Sequence, residues 1–115
     1  MTNLNERNPE PVEGEIAEPI HIAPLLTRLR AHLPELAARY HIATLGVFGS
    51  YLRGEQRPDS DLDLLVEFLE PPTLFDFVRL ENELSALVGI PVDLVMKSAL
   101  KPAIGRRILE EVRQI

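Results

Sequence analysis

Asp61 and Asp63 stand at the head of an apolar run that continues through Leu64, Leu65, Val66 and Phe68, and a Gly49-Ser50 pair precedes them by ten residues. Residues two apart in a strand point to the same face, which sets the two carboxylates side by side with Cα atoms roughly 6.6 Å apart. That spacing suits a pair of divalent ions held about 3.5–4 Å apart, the arrangement that clamps the attacking and leaving oxygens of an in-line displacement at phosphorus. Hard carboxylate oxygens favour Mg²⁺, which retains waters and shares its shell with substrate phosphates.

The Gly-Ser pair supplies the anion end of this chemistry. Val47 and Phe48 close a strand, and Gly49, lacking a Cβ, lets the backbone approach a ligand. Ser50 is expected to cap the short helix that follows, whose N–H groups and hydroxyl can cradle a triphosphate. Arg53 lies one turn on and can reach the same anion with its guanidinium. Each of these residues alone is an ordinary turn former, but at roughly 5–7% abundance apiece the four fixed positions coincide by chance in about one chain in a thousand of this length.

A third carboxylate is expected to complete the set, and Asp93 interrupts the apolar run from Ile90 to Met96. With Val92 and Leu94 facing a core, Asp93 points to the face that carries Asp61 and Asp63. There it can complete the metal site and accept the proton of an incoming hydroxyl. Arg57 and Ser60 lie in the intervening loop. Ser60 either contacts nucleotide phosphates or orients Asp61 through a local hydrogen bond. Lys97 and Lys101 follow the third strand closely, where a solvated lysine is the commoner case.

Gly49-Ser50, Arg53-Gly54 and Ser60-Asp61-Leu62-Asp63-Leu64, with the later Val92-Asp93-Leu94, resemble the minimal nucleotidyltransferases (MNT proteins) of the DNA polymerase β superfamily. The resemblance covers about residues 24–113. It implies two Mg²⁺ ions on Asp61, Asp63 and Asp93, and ATP bound through Gly49, Ser50, Arg53 and Ser60. It further implies transfer of AMP to a tyrosine of a HEPN-family ribonuclease toxin, with the chain acting as antitoxin in a hetero-oligomer with that toxin. Two other functions remain open: nucleotide transfer to a small hydroxylated molecule such as an aminoglycoside, and a catalytically silent antitoxin that only binds.

The elements that must position these residues are legible in outline. From Pro24 the pattern turns helical through Leu25, Leu26, Leu29 and Leu33, and Pro34 predicts a break near His32–Leu33 with a second short helix to Tyr40. Ala43–Phe48 forms the first strand. After the metal strand, Thr73 and Asp76 open a helix with an apolar face of Leu74, Phe77, Leu80, Leu84 and Leu87, and Gly89 ends it. Pro102 begins a last helix with Ile104, Ile108, Leu109 and Val112 inward and Arg106, Arg107, Glu110 and Arg113 outward. The fold class is α+β: a small mixed sheet with helices packed on one face and the three acids on the exposed one.

Composition narrows the function further. The 115 residues make one small domain over residues 20–115, and residues 1–19, rich in Glu and Pro, read as a disordered acidic tail. A formal net charge of −6 argues against non-specific nucleic-acid binding. The chain has no cysteine, and His21, His32 and His41 lack metal-ligand spacing, which leaves them as surface or helix-end residues. No apolar run approaches a membrane span and no signal-peptide pattern opens the chain, so a cytoplasmic location is expected.

Overall fold

The structure is a computed structural model, and residues 21–115 are the ones described. The expected acidic tail, residues 1–19, lies outside the described residues. Strands β1 (Ile42–Phe48) and β2 (Leu62–Phe68) pair antiparallel, and β3 (Val92–Met96) adds to β2 in parallel. The parallel step needs a crossover, which helix α3 (Leu74–Val88) provides. Together with helix α1 (Ile22–Tyr40), α3 covers one face of this mixed sheet. Leu62, Leu64 and Val66 of β2 and Val92 and Leu94 of β3 point into that layer and join Leu25, Leu29, Leu80 and Leu84 in one core. Strand alternation then sends Asp63 and Asp93 to the opposite face, as expected.

Helix α1 runs unbroken through Pro34, so the predicted break and second helix do not form. Proline removes one intrahelical hydrogen bond and leaves the carbonyl four residues earlier without a partner. Here Arg30 and Pro34 are both exposed, so water can satisfy that carbonyl. Leu25, Leu29, Leu36 and Tyr40 bury one stripe across the break point, and this anchorage on both sides outweighs the local cost. His41 ends the helix in the left-handed conformation, a helix-end role as expected.

The crossover helix follows its sequence signals more closely. The Thr73 hydroxyl accepts from the Asp76 N–H at 3.0 Å, and Gly89 closes the helix at φ 77°. Leu74, expected on the buried face, is instead 80% exposed, while Phe77 is partly buried against the core and full burial begins at Leu80. Two side chains of α3 then secure β3. Val92 N–H donates to Ser85 Oγ at 3.0 Å and Leu94 N–H to Glu81 Oε2 at 2.9 Å. The outer edge of β3 is thereby satisfied on both sides of Asp93, which fixes where that carboxylate stands.

The C-terminal segment departs furthest from expectation. Helix α4 (Pro102–Glu111) stops before Val112, and Arg113–Gln114 forms a two-residue strand, β4, against the free edge of β1, giving the order β3-β2-β1-β4. Ile104 and Leu109, expected inward, are 62% and 47% exposed. Ile108 faces the protein as expected, together with Gly105 and Glu111, and Val112 lies over Gly46 of β1. Thus α4 sits by the open face of the sheet, beside the acids, while α1 and α3 hold the other.

Candidate active site

The in-register pairing of β2 with β3 makes Asp63 and Asp93 direct neighbours across two strands, about 4.8 Å apart in the backbone. Asp61 immediately precedes β2 and shares the parity of Asp63. Asp61 and Asp93 are exposed and Asp63 is half-buried. Burial above all, then the charges of Asp93 and Asp61, pushes the Asp63 carboxyl up to about 6, with the Arg53 guanidinium opposing them. A half-buried carboxylate whose proton affinity is raised by burial and by two neighbouring carboxylates is the electrostatic setting that a divalent ion relieves. Yet among the described residues no three acids or histidines stand close enough to hold an ion unaided. A Mg²⁺ ion at these carboxylates would need further ligands, which phosphate oxygens are suited to supply.

Pairing of Phe48 with Asp63 brings Gly49 against the middle acid. Gly49 adopts φ 84° and ψ −159°, a conformation essentially reserved for glycine, and a Cβ there would collide with the Asp63 carboxylate. The anion corner and the acids are therefore in contact. Because Gly49 takes the cap position, Ser50 becomes the first residue of helix α2 (Ser50–Arg53) and makes no side-chain cap, contrary to expectation. A helix of one turn also contributes little dipole. Besides the Ser50 hydroxyl at the start of α2 and Arg107 in the adjoining cleft, two donors here suit an anion: the Gly49 N–H and the Arg53 guanidinium.

Both of those donors are engaged by one side chain. Glu111 Oε2 accepts from the Gly49 N–H at 2.7 Å, and Glu111 Oε1 accepts from Arg53 Nη1 at 2.7 Å. The Gly49 bond foremost, and Arg53 after it, hold the Glu111 carboxyl below its ordinary range against the opposing effect of burial. Arg53 Nε also donates to Glu55 at 3.0 Å, and its guanidinium is raised by these two carboxylates, Glu111 first. A cleft of about 270 Å³ opens here between Gly49, Arg53 and Asp63 on one side and Ile104, Arg107 and Glu111 on the other. A larger cleft of about 590 Å³, at the far end of β2 around Glu67 and Pro71, contains none of the three acids.

Of the residues singled out in the sequence, Gly49, Arg53 and Asp63 line one cleft, with Asp93 in register beside Asp63 and Asp61 two residues before it; Ser50 opens α2 and Lys101 stands at the cap of α4. Ser60 lies in the loop leading to Asp61. Its hydroxyl accepts from the Arg57 N–H at 2.8 Å and its own N–H donates to the Arg57 carbonyl at 2.9 Å, so it closes the turn that presents Asp61. Lys97 pairs with Glu67 at 3.6 Å, at the opposite end of β2 from Asp61. Glu111 and Arg107 were missed. Helical spacing puts Glu111 on the face of Ile108, three residues earlier, but nothing in the sequence tells which donors it meets.

The description "Nucleotidyltransferase domain" belongs to a family model that matches residues 29–115. A protein adenylyltransferase, MntA, of Thermococcus cleftensis is 54% identical over 84 residues, covering 73% of this chain and 85% of that protein. A solved structure of a candidate minimal nucleotidyltransferase superposes with a TM-score of 0.73 at 42% identity, over 84% of this chain and 97% of that one. A more distant fold neighbour is the complex of a tri-AMPylated Shewanella oneidensis HEPN toxin with its MNT antitoxin. There the TM-score is 0.52 and the identity 19%, over 79% of this chain and 65% of that one. Among the described residues no helix is long and apolar enough to cross a membrane.

Proposed function

This chain belongs to the nucleotidyltransferase domain family, and from that premise we propose that it moves AMP from ATP to a hydroxyl of a partner protein, a HEPN-type toxin that it thereby silences. The observation that carries the proposal is the contact between two half-sites. Asp63, in register with Asp93, lies directly against the Gly49 corner and lines one cleft with Gly49 and Arg53, which supports reading the carboxylates as metal ligands and the two donors as a phosphate seat. The relative at 54% identity is named a protein adenylyltransferase, and the fold neighbour is bound to an AMPylated toxin, which supports both the reaction and the partner.

In this reaction Asp61, Asp63 and Asp93 would supply the protein's share of the ligands to Mg²⁺, while Gly49 N–H and Arg53 would hold the phosphate tail. When bound, Mg²⁺ neutralises the charge that develops on the phosphate oxygens. The partner hydroxyl forms a bond to the α-phosphorus, the bond to the β-phosphate oxygen breaks, and pyrophosphate departs. Asp93, exposed at the strand edge and fixed by the hydrogen bonds on either side of it, accepts the hydroxyl proton. A tyrosine is a well-matched acceptor, since a phenol with a pKa of about 10 gives up its proton far more readily than an aliphatic alcohol.

Binding of ATP is expected to tighten about tenfold or more when Mg²⁺ is present, equivalent to ~1.4 kcal/mol, because the protein's ligand set is incomplete without the triphosphate. Calorimetric titrations with and without Mg²⁺ check this, and equal affinities would remove the metal role from Asp61 and Asp63. The acceptor is tested by incubating the chain with the protein encoded beside it, ATP and Mg²⁺, followed by intact-mass spectrometry. The partner should gain mass in steps of one AMP, and Asp93→Asn should abolish the gain. A partner silenced without any change in mass would leave only an antitoxin that binds.

A further inference from the structure

We propose that Glu111 is an internal stand-in for the phosphate tail, occupying its seat in the nucleotide-free protein and leaving it when the nucleotide enters. The inference rests on the reading of Gly49 and Arg53 as the phosphate-binding donors. It starts from the fact that one carboxylate takes both of them, each oxygen on one donor at 2.7 Å. A main-chain amide without a neighbouring Cβ and a guanidinium are the donors that a phosphate oxygen pair requires. Two anions cannot use them at once, so Glu111 and the β- and γ-phosphates exclude one another.

The placement of Glu111 suits such an exchange. It is the last residue of α4, half-buried at the mouth of the cleft, and only Val112 separates it from the short β4 pairing. A change of side-chain rotamer, or a small turn of the helix end, frees the seat without disturbing the core, to which α4 contributes no buried side chain. Glu111 also adds negative charge beside Asp63, so its departure removes repulsion at the moment the cation-bound nucleotide arrives. After transfer, the returning carboxylate competes with pyrophosphate for the same donors and promotes product release.

The test is calorimetry on the full chain and on Glu111→Gln and Glu111→Ala, titrated with Mg²⁺-pyrophosphate, Mg²⁺-ATP and AMP. Glu111→Gln keeps the volume and a carbonyl oxygen for the Gly49 N–H but loses the charge that holds the seat. Both variants should bind pyrophosphate and ATP about tenfold more tightly than wild type, because the seat no longer has to be vacated. Affinity for AMP, which has no phosphate tail, should change by less than about twofold. Unchanged or weaker pyrophosphate binding by a folded variant overturns the inference and makes Glu111 a residue that positions Gly49 and Arg53. Failure of wild type and variants alike to bind Mg²⁺-ATP overturns the phosphate reading as well. Should neither variant fold, carbon NMR of the wild-type protein decides: the Glu111 carboxyl resonance moves with the midpoint of pyrophosphate binding, and an unmoved resonance at saturation overturns the exchange.

Discussion

Asp63→Asn should lower nucleotidyl transfer by on the order of a thousandfold, ~4 kcal/mol of barrier, and at the same time raise the melting temperature. An amide in place of this carboxylate withdraws the most buried of the three charges on which the metal depends. The same charge is a burden in the metal-free fold, where burial and the neighbouring Asp93 and Asp61 push its carboxyl up to about 6. Between pH about 4 and 6 the folded protein therefore holds a proton that the unfolded chain has released, so stability falls as pH rises through that window and the penalty is constant above it. Allowing for the partial exposure of the group, the penalty is about 1 kcal/mol, or about 5 °C in Tm for a domain of this size. Asparagine abolishes it. Calorimetric scans should accordingly show no gain near pH 4 and the full gain at pH 7.5. A lower Tm for Asp63→Asn at pH 7.5 would instead assign Asp63 to a structural hydrogen-bond network.

What could be read from the sequence was what depends on local rules. Alternation placed Asp63 and Asp93 on the face opposite Leu62, Leu64, Val92 and Leu94, and the Thr73–Asp76 cap and Gly89 bounded α3 within a residue. Pro34 was misjudged because a helix propensity is a local cost, whereas the stripe from Leu25 to Tyr40 is held by the sheet and is decided by tertiary packing. Ile104 and Leu109 of α4 were misassigned to the inward face for a related reason, whereas Ile108 and Val112 do turn inward. The apolar residues of α4 match a buried helix, but the helix stands beside an acid-lined cleft, and the side facing the sheet carries Gly105 and Glu111 while Ile104 is left in solvent. Glu111 was not singled out. Its role depends on two donors, Gly49 and Arg53, that are 62 and 58 residues away in sequence, and no periodicity encodes such a meeting.

Gly49→Ala is expected to be the most damaging single-methyl change in the domain, lowering stability by about 3 kcal/mol and Tm by about 15 °C. Two causes combine. The backbone at φ 84° and ψ −159° is strained for any residue with a side chain, and the new methyl would press on the Asp63 carboxylate, whose carbon would lie 2.9 Å away. Gly54→Ala separates them, since Gly54 also has positive φ, at 73°, but nothing within 4 Å of its would-be Cβ. That variant should lose only about 1 kcal/mol. A double-mutant cycle isolates the collision: in an Asp63→Ala background the carboxyl group is gone, and Gly49→Ala should then cost at least about 1 kcal/mol less than in wild type. Equal costs in the two backgrounds, measured by urea unfolding, would mean that Gly49 serves the turn alone. A positive coupling would establish that the phosphate corner and the metal acids touch through this one glycine, which is the condition for a nucleotide to engage both at once.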